Sequence, residues 1–232
     1  MSEISIIAVL DDPVRRSLYD YVSARGDGVS RSEAAAATGI GRTLAAFHLD
    51  RLAEAGLVEV TFARPSGRTG PGAGRPAKLY RRAVREFSVT LPQRSYELAG
   101  RHMARGIAGA RGAGRPVAET LAEAAREQGQ GIAAEALRRA GEGPSEAALL
   151  AATRSVLDEQ GYATRAEPAG LAFANCPFHL LAGRHPPLIC GMNLALLEGL
   201  LAGAGVSGLT ARLDPRPGEC CVVLEKSKNN HD

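Results

Sequence analysis

At 232 residues the chain is longer than one usual domain, and a hydrophobic content of 45% supplies ordinary buried cores, which excludes wholesale disorder. Tryptophan is absent and aromatic residues make up only 4%, so the cores are built from Ala, Leu and Val, a composition that favours helices. The net charge of +3 decides little by its size, but its distribution is uneven. Between residues 42 and 85 stand nine cations against the three acids Asp50, Glu54 and Glu59, the footprint of a polyanionic partner. The N-terminus has neither the cationic nor the apolar segment of a signal peptide. No apolar run reaches the ~18–20 residues of a membrane span; the nearest, 194–205, is short and carries Glu198. A cytoplasmic protein without a membrane partner is expected.

In chain order, Asp12-Pro13 caps a helix that runs to about residue 24, with Val14, Leu18, Tyr21 and Val22 on one face. Gly26-Asp27-Gly28 breaks it. Ser30, with Glu33 three residues on, forms a capping box and opens a short Ala-rich helix that ends in the turn 38–41. A third helix covers 42 to about 55. Its Leu44, Phe47, Leu49 and Leu52 are expected to pack inward, with Arg42, Thr43, His48 and Arg51 outward. Two helices joined by a short Gly-containing turn form a helix-turn-helix, whose second helix reads the major groove.

A β-prone run at 57–62 and a returning strand at 77–81 flank the Gly/Pro/Arg-rich stretch 65–76, so the segment reads as a hairpin with a basic tip, a wing. The candidate DNA contacts are therefore Arg42, Thr43, His48, Arg51, Arg64, Arg68, Arg75 and Lys78. For His48, a phosphate contact and a plain surface role both stand. Leu49-x-x-Leu52-x-x-x-Gly56-Leu57-Val58 and Gly74-Arg75-Pro76-Ala77-Lys78-Leu79-Tyr80 give the stretch 11–82 its likeness: it resembles winged-helix regulators of the ArsR/DeoR kind.

Helices are expected over 94–110 and 117–140. They carry no recognisable chemistry and are assigned to linkage and homodimerisation, with an intrasubunit spacer as the alternative. From Ser145 the pattern changes to a helix through residue 157, a hairpin around 167–170, a helix over 188–202, and strands at 209–213 and 221–224. The fold class expected is mainly α with small β (α+β). It comprises a winged helix-turn-helix at 1–88, a helical linker at 89–143, a cysteine-bearing α+β sensor domain at 144–225 and a disordered tail at 226–232.

All four cysteines, Cys176, Cys190, Cys220 and Cys221, fall in the last of these folded regions. In a cytoplasmic chain such a cluster points to metal or redox chemistry rather than a disulfide frame, and the competing reading is small buried filler. Adjacent strand residues face opposite ways, so only one of Cys220 and Cys221 reaches a shared centre unless the backbone bends. Cys176, Cys190 and Cys220 are the primary candidates, and Cys221, His179 and His185 remain open for a fourth ligand.

The segments Asn175-Cys176-Pro177-Phe178-His179, Leu188-Ile189-Cys190-Gly191 and Asp214-Pro215-Arg216-Pro217-Gly218-x-Cys220-Cys221 resemble regulators of the SufR type. That resemblance implies an iron–sulfur cluster, [4Fe–4S] or [2Fe–2S], on Cys176, Cys190 and Cys220, a repressor's role, and a double-stranded DNA operator bound by a homodimer. The spacing of Cys176 and His179 supports zinc as the alternative cofactor. No Ser-His-Asp order, P-loop or GxGxxG lies in a fitting context, so no enzymatic activity is expected.

Overall fold

The computed structural model describes residues 2–63 and 76–227 and separates into two units, Met1–Val89 and Thr90–Asp232. Helices predominate, with one small antiparallel sheet in each unit, the α+β class expected. The expected wing-tip residues Arg64, Arg68 and Arg75, and residues 228–232 of the expected tail, lie outside the described residues.

In the N-terminal unit, α1 (Glu3–Ala8) and a 3-10 turn precede α2 (Pro13–Ser23). The Asp12 carboxylate accepts from the backbone N–H groups of Val14 and Arg15 at 2.9 and 3.0 Å, satisfying donors that a helix start leaves free. The short strand β1 (Val29–Ser30) leads into α3 (Arg31–Thr38), where Ser30 and Glu33 complete the capping box at 3.2 and 3.0 Å. Gly39, at φ +69°, ends α3, and α4 (Arg42–Glu54) follows after two residues. Strands β2 (Val58–Ala63) and β3 (Ala77–Arg82) pair antiparallel from Val58↔Arg82 to Ala63↔Ala77, and β1 adds to the other side of β3. Neither α1 nor β1 was expected.

The inward face of α4 departs from expectation. Ala45, His48, Leu49 and Leu52 are buried, while Leu44 and Phe47 are 44% and 58% exposed. Positions 45, 48, 49 and 52 follow the i, i+3, i+4, i+7 rule, and the expected set does not. His48, expected outward, is only 7% exposed, and its Nδ1 has no hydrogen-bond partner among the described residues.

The C-terminal unit holds α5 (Tyr96–Ala113), α6 (Val117–Ala140), α7 (Glu146–Glu159), β4 (Thr164–Glu167), β5 (Gly170–Phe173), α8 (His179–Arg184), α9 (Pro186–Ala204), β6 (Leu209–Leu213) and β7 (Val222–Lys226). Its sheet runs β4-β5-β7-β6, antiparallel throughout. The regions expected as a linker and a sensor domain share one core: Leu121, Ala125 and Ile132 of α6 join Leu157, Phe173, Leu196, Leu200 and Leu224. Helix α9 is long and apolar enough to cross a membrane by length and composition, longer than the apolar run expected there, but most of it is buried inside this core.

Two glycines set the spacing of α6 and α9. A Cβ on Gly129 would land on the Leu196 carbonyl oxygen, and one on Gly199 would land on the carbonyl oxygen of Arg126. Only hydrogen at these positions lets the backbones approach so closely. Arg126 pairs with Glu198 at 3.0 Å beside the crossing. Gly199→Ala is therefore expected to destabilise the unit by about 1–3 kcal/mol through overpacking. Gly131→Ala, at an exposed position of α6 with open space, should stabilise by up to ~1 kcal/mol through helix propensity. Urea midpoints of the two variants against wild type check the contrast.

Candidate nucleic-acid interface and thiol cluster

The helix-turn-helix presents the N-terminal half of α4 on its surface. Arg42 and Thr43 open the helix after Gly41 and are exposed, as are Leu44 and Phe47. Arg51 is exposed but pairs with Glu54 at 2.7 Å. Lys78 lies on β3, where its ammonium donates to the Asp50 carboxylate. The Tyr80 hydroxyl donates to the same carboxylate oxygen at 2.7 Å, so Asp50 ties α4 to the returning strand of the hairpin. Burial alone would raise the Asp50 pKa, but the hydrogen bonds from Lys78 and Tyr80 and the nearby charges of Lys78 and Arg31 outweigh it and hold the group below its ordinary value. Of the expected contacts among the described residues, Arg42 and Thr43 are exposed and lack a competing ion pair, Arg51 and Lys78 are paired, and His48 is buried. Asp50 had read only as an acid within a basic block.

In the C-terminal unit, three segments carry the four cysteines together. Cys176 follows β5, in a loop held by Arg94, whose guanidinium donates to the Cys176 carbonyl at 2.9 Å and to the Asn175 side chain. Cys190 lies in the first turns of α9. Cys220 and Cys221 precede β7, and the Cys220 N–H donates to the Phe173 carbonyl at 3.1 Å, which sets it against the end of β5. The turn before them is closed by the Asp214 N–H on the Cys221 carbonyl at 2.8 Å, and by Arg216, which pairs with Asp214 at 2.8 Å and Glu167 at 3.2 Å.

The backbone bends at Cys221, ahead of the regular strand. Both neighbours of the pair consequently reach the same cluster. The thiols influence one another electrostatically, Cys176 with Cys220, Cys220 with Cys221, and Cys190 with Cys221, which makes the four near neighbours. Cys176 and Cys220 are buried, whereas Cys190 and Cys221 are half-buried. The Cys176 thiol is raised by its neighbour Cys220 and by burial. For Cys220 the neighbouring Cys176 lowers the pKa, but Cys221 and burial push it up to about 12. Burial likewise raises Cys190, against the opposing influence of Cys221.

The backbone N–H groups of Phe178 and Val222 lie near the sulfurs of Cys176 and Cys220 and act to lower their pKa values. His179 and His185 are exposed at the two ends of α8. Among the described residues no group of three or more His, Cys, Asp or Glu side chains stands in metal-holding geometry, and all four cysteines are free. The donor set is nonetheless all sulfur and supplied with N–H donors, the chemistry that iron–sulfur clusters and structural zinc require. Two further polar residues, Tyr162 and Asn193, reach this cluster. Neither stood out in the sequence, although Asn193 is the one amide in the apolar stretch 188–197.

The Asp50 tie has a pH signature. Its depressed pKa contributes stability above the ordinary carboxylate value of about 4, and that contribution is lost as pH falls through the folded value. The unfolding midpoint of the N-terminal unit should thus drop less between pH 7 and pH 3 in Asp50→Asn than in wild type, with the variant less stable at pH 7. Residues 10–61 match a family model described as a helix-turn-helix domain. Neither a curated protein nor a solved structure matches the chain. The domain match supports a DNA-binding transcriptional regulator rather than an enzyme.

Proposed function

We propose that the chain is a transcriptional repressor that binds an operator in double-stranded DNA as a homodimer, and whose affinity is set by an iron–sulfur cluster held on Cys176, Cys190, Cys220 and Cys221. The observation that carries this reading is the convergence of four thiols from three separated stretches of chain. A cytoplasmic chain has little use for four neighbouring reduced thiols unless they bind metal or respond to oxidation. The contact of Cys190 with Cys221 favours Cys221 over His179 as the fourth ligand. A bound cluster would supply a group whose loss or oxidation changes the loop ends that carry its ligands.

On the DNA side, Arg42 serves a phosphate or a guanine edge, and Leu44 and Phe47 offer apolar surface to thymine methyl groups in the major groove. Arg42→Ala should weaken binding and reduce the dependence of log K on log salt by about one phosphate contact. Phe47→Ala should cost affinity for a duplex selected from a random library while leaving non-specific binding unchanged. Fluorescence anisotropy over a salt series measures both, and unchanged affinities in both variants would misplace the interface.

For the cluster, protein purified without oxygen should be brown and contain iron and sulfide. Replacing any one of the four cysteines by Ser should lower the iron content. A colourless protein holding stoichiometric zinc and no sulfide, with loss to air excluded, replaces the cluster by a zinc site.

A further inference from the structure

Tyr162 and Asn193 are each about 1% exposed within an apolar core, with the Tyr162 ring against Phe173 at a centroid distance of 5.0 Å. Burying a hydroxyl and a carboxamide there costs free energy unless each finds a partner. The Tyr162 hydroxyl donates its single proton to Asn193 Oδ1 at 2.5 Å. That bond fixes the orientation of the amide and turns its NH2 group to the Cys220 sulfur, 3.2 Å away. An amide nitrogen can only donate. The contact therefore favours sulfur in its electron-rich forms, a thiolate or a ligand of a reduced centre, over a sulfur that must itself donate.

The placement follows from α9. Cys190 and Asn193 are three residues apart and share one face of that helix, so the element that delivers one thiol at its start delivers the amide one turn further in. Asn193 thus reaches the buried half of the thiol cluster, at Cys220, while Cys190 lies on its half-buried side. Nothing in core packing calls for an amide here, since Leu would fill a similar volume without a desolvation cost.

We propose that Asn193, oriented by Tyr162, is a positioning residue of the sulfur centre: its amide donates to the Cys220 sulfur and stabilises the reduced state of the group bound there. This rests on the reading of the four cysteines as ligands. Two measurements test it. In the iron-free, reduced, ¹⁵N-labelled protein, the Asn193 side-chain amide protons should exchange slowly with solvent, and their shifts should move in Cys220→Ala and again in Tyr162→Phe. In the anaerobically purified protein, Asn193→Leu and Tyr162→Phe should leave iron and sulfide content unchanged but make the cluster harder to reduce. The expected change is roughly tenfold in the one-electron equilibrium, or about 59 mV to more negative potential.

Amide shifts indifferent to Cys220→Ala, or an unaltered potential in both variants, overturn the assignment while a brown wild-type protein keeps the cluster reading. A colourless wild-type protein overturns the cluster reading instead, and the amide shifts then decide the hydrogen bond alone. Should Asn193→Leu fail to fold, Tyr162→Phe, which removes one hydroxyl and keeps the ring, carries the test.

Discussion

The C-terminal unit depends on the contact between the backbones of α6 and α9. Gly129 and Gly199 each present hydrogen where any side chain would strike a carbonyl oxygen of the partner helix. Interaxial distances are otherwise set by side-chain bulk, at about 8–10 Å. Removing that bulk at two places fixes both the separation and the register of the helices. The register matters because α9 carries Cys190 and Asn193, so the glycine pair lies beneath the placement of one thiol and one sulfur donor. An Ala-rich, aromatic-poor composition suits this arrangement, in which close backbone approach replaces the large interlocking side chains of other cores.

The N-terminal unit is organised around a polar contact instead. Asp50 gathers the Lys78 ammonium and the Tyr80 hydroxyl, and so joins the recognition helix to the strand that returns from the hairpin. It does so at the expense of the basic surface, because Lys78 spends its charge on Asp50 rather than offering it to a polyanion. Arg51 is occupied in the same way by Glu54. The described part of the interface is therefore less positive than a count of cations implies, and its apolar component, Leu44 and Phe47, is correspondingly prominent.

Much of this was legible in the sequence wherever the signal is local. Asp12-Pro13, the Ser30–Glu33 box and Gly39 act within one helical turn, and each does in the structure what its chemistry requires. The face of α4 was misjudged because its apolar residues are nearly continuous, and bulk drew Leu44 and Phe47 inward while small Ala45 and polar His48 form the buried stripe. Strand β1 was missed because two residues carry no periodicity, and only pairing with β3 defines them. The cysteines were visible as a cluster, but the approach of both Cys220 and Cys221 to the other thiols depends on a bend that strand alternation does not foresee. Tyr162 and Asn193 matter only through residues 31 apart in the chain, a relation that spacing within a motif cannot express.

The two sides of the thiol chain are not equivalent toward solvent. Cys190 and Cys221 form its accessible edge, and Cys176 and Cys220 its sheltered edge. A solute diffusing in from water meets the accessible edge first. The thiols at the start of α9 and in the last turn are open to it, while those anchored by Arg94 and by the end of β5 stay enclosed. Reaction at these thiols therefore begins on one side, and the sheltered pair is the last to be reached.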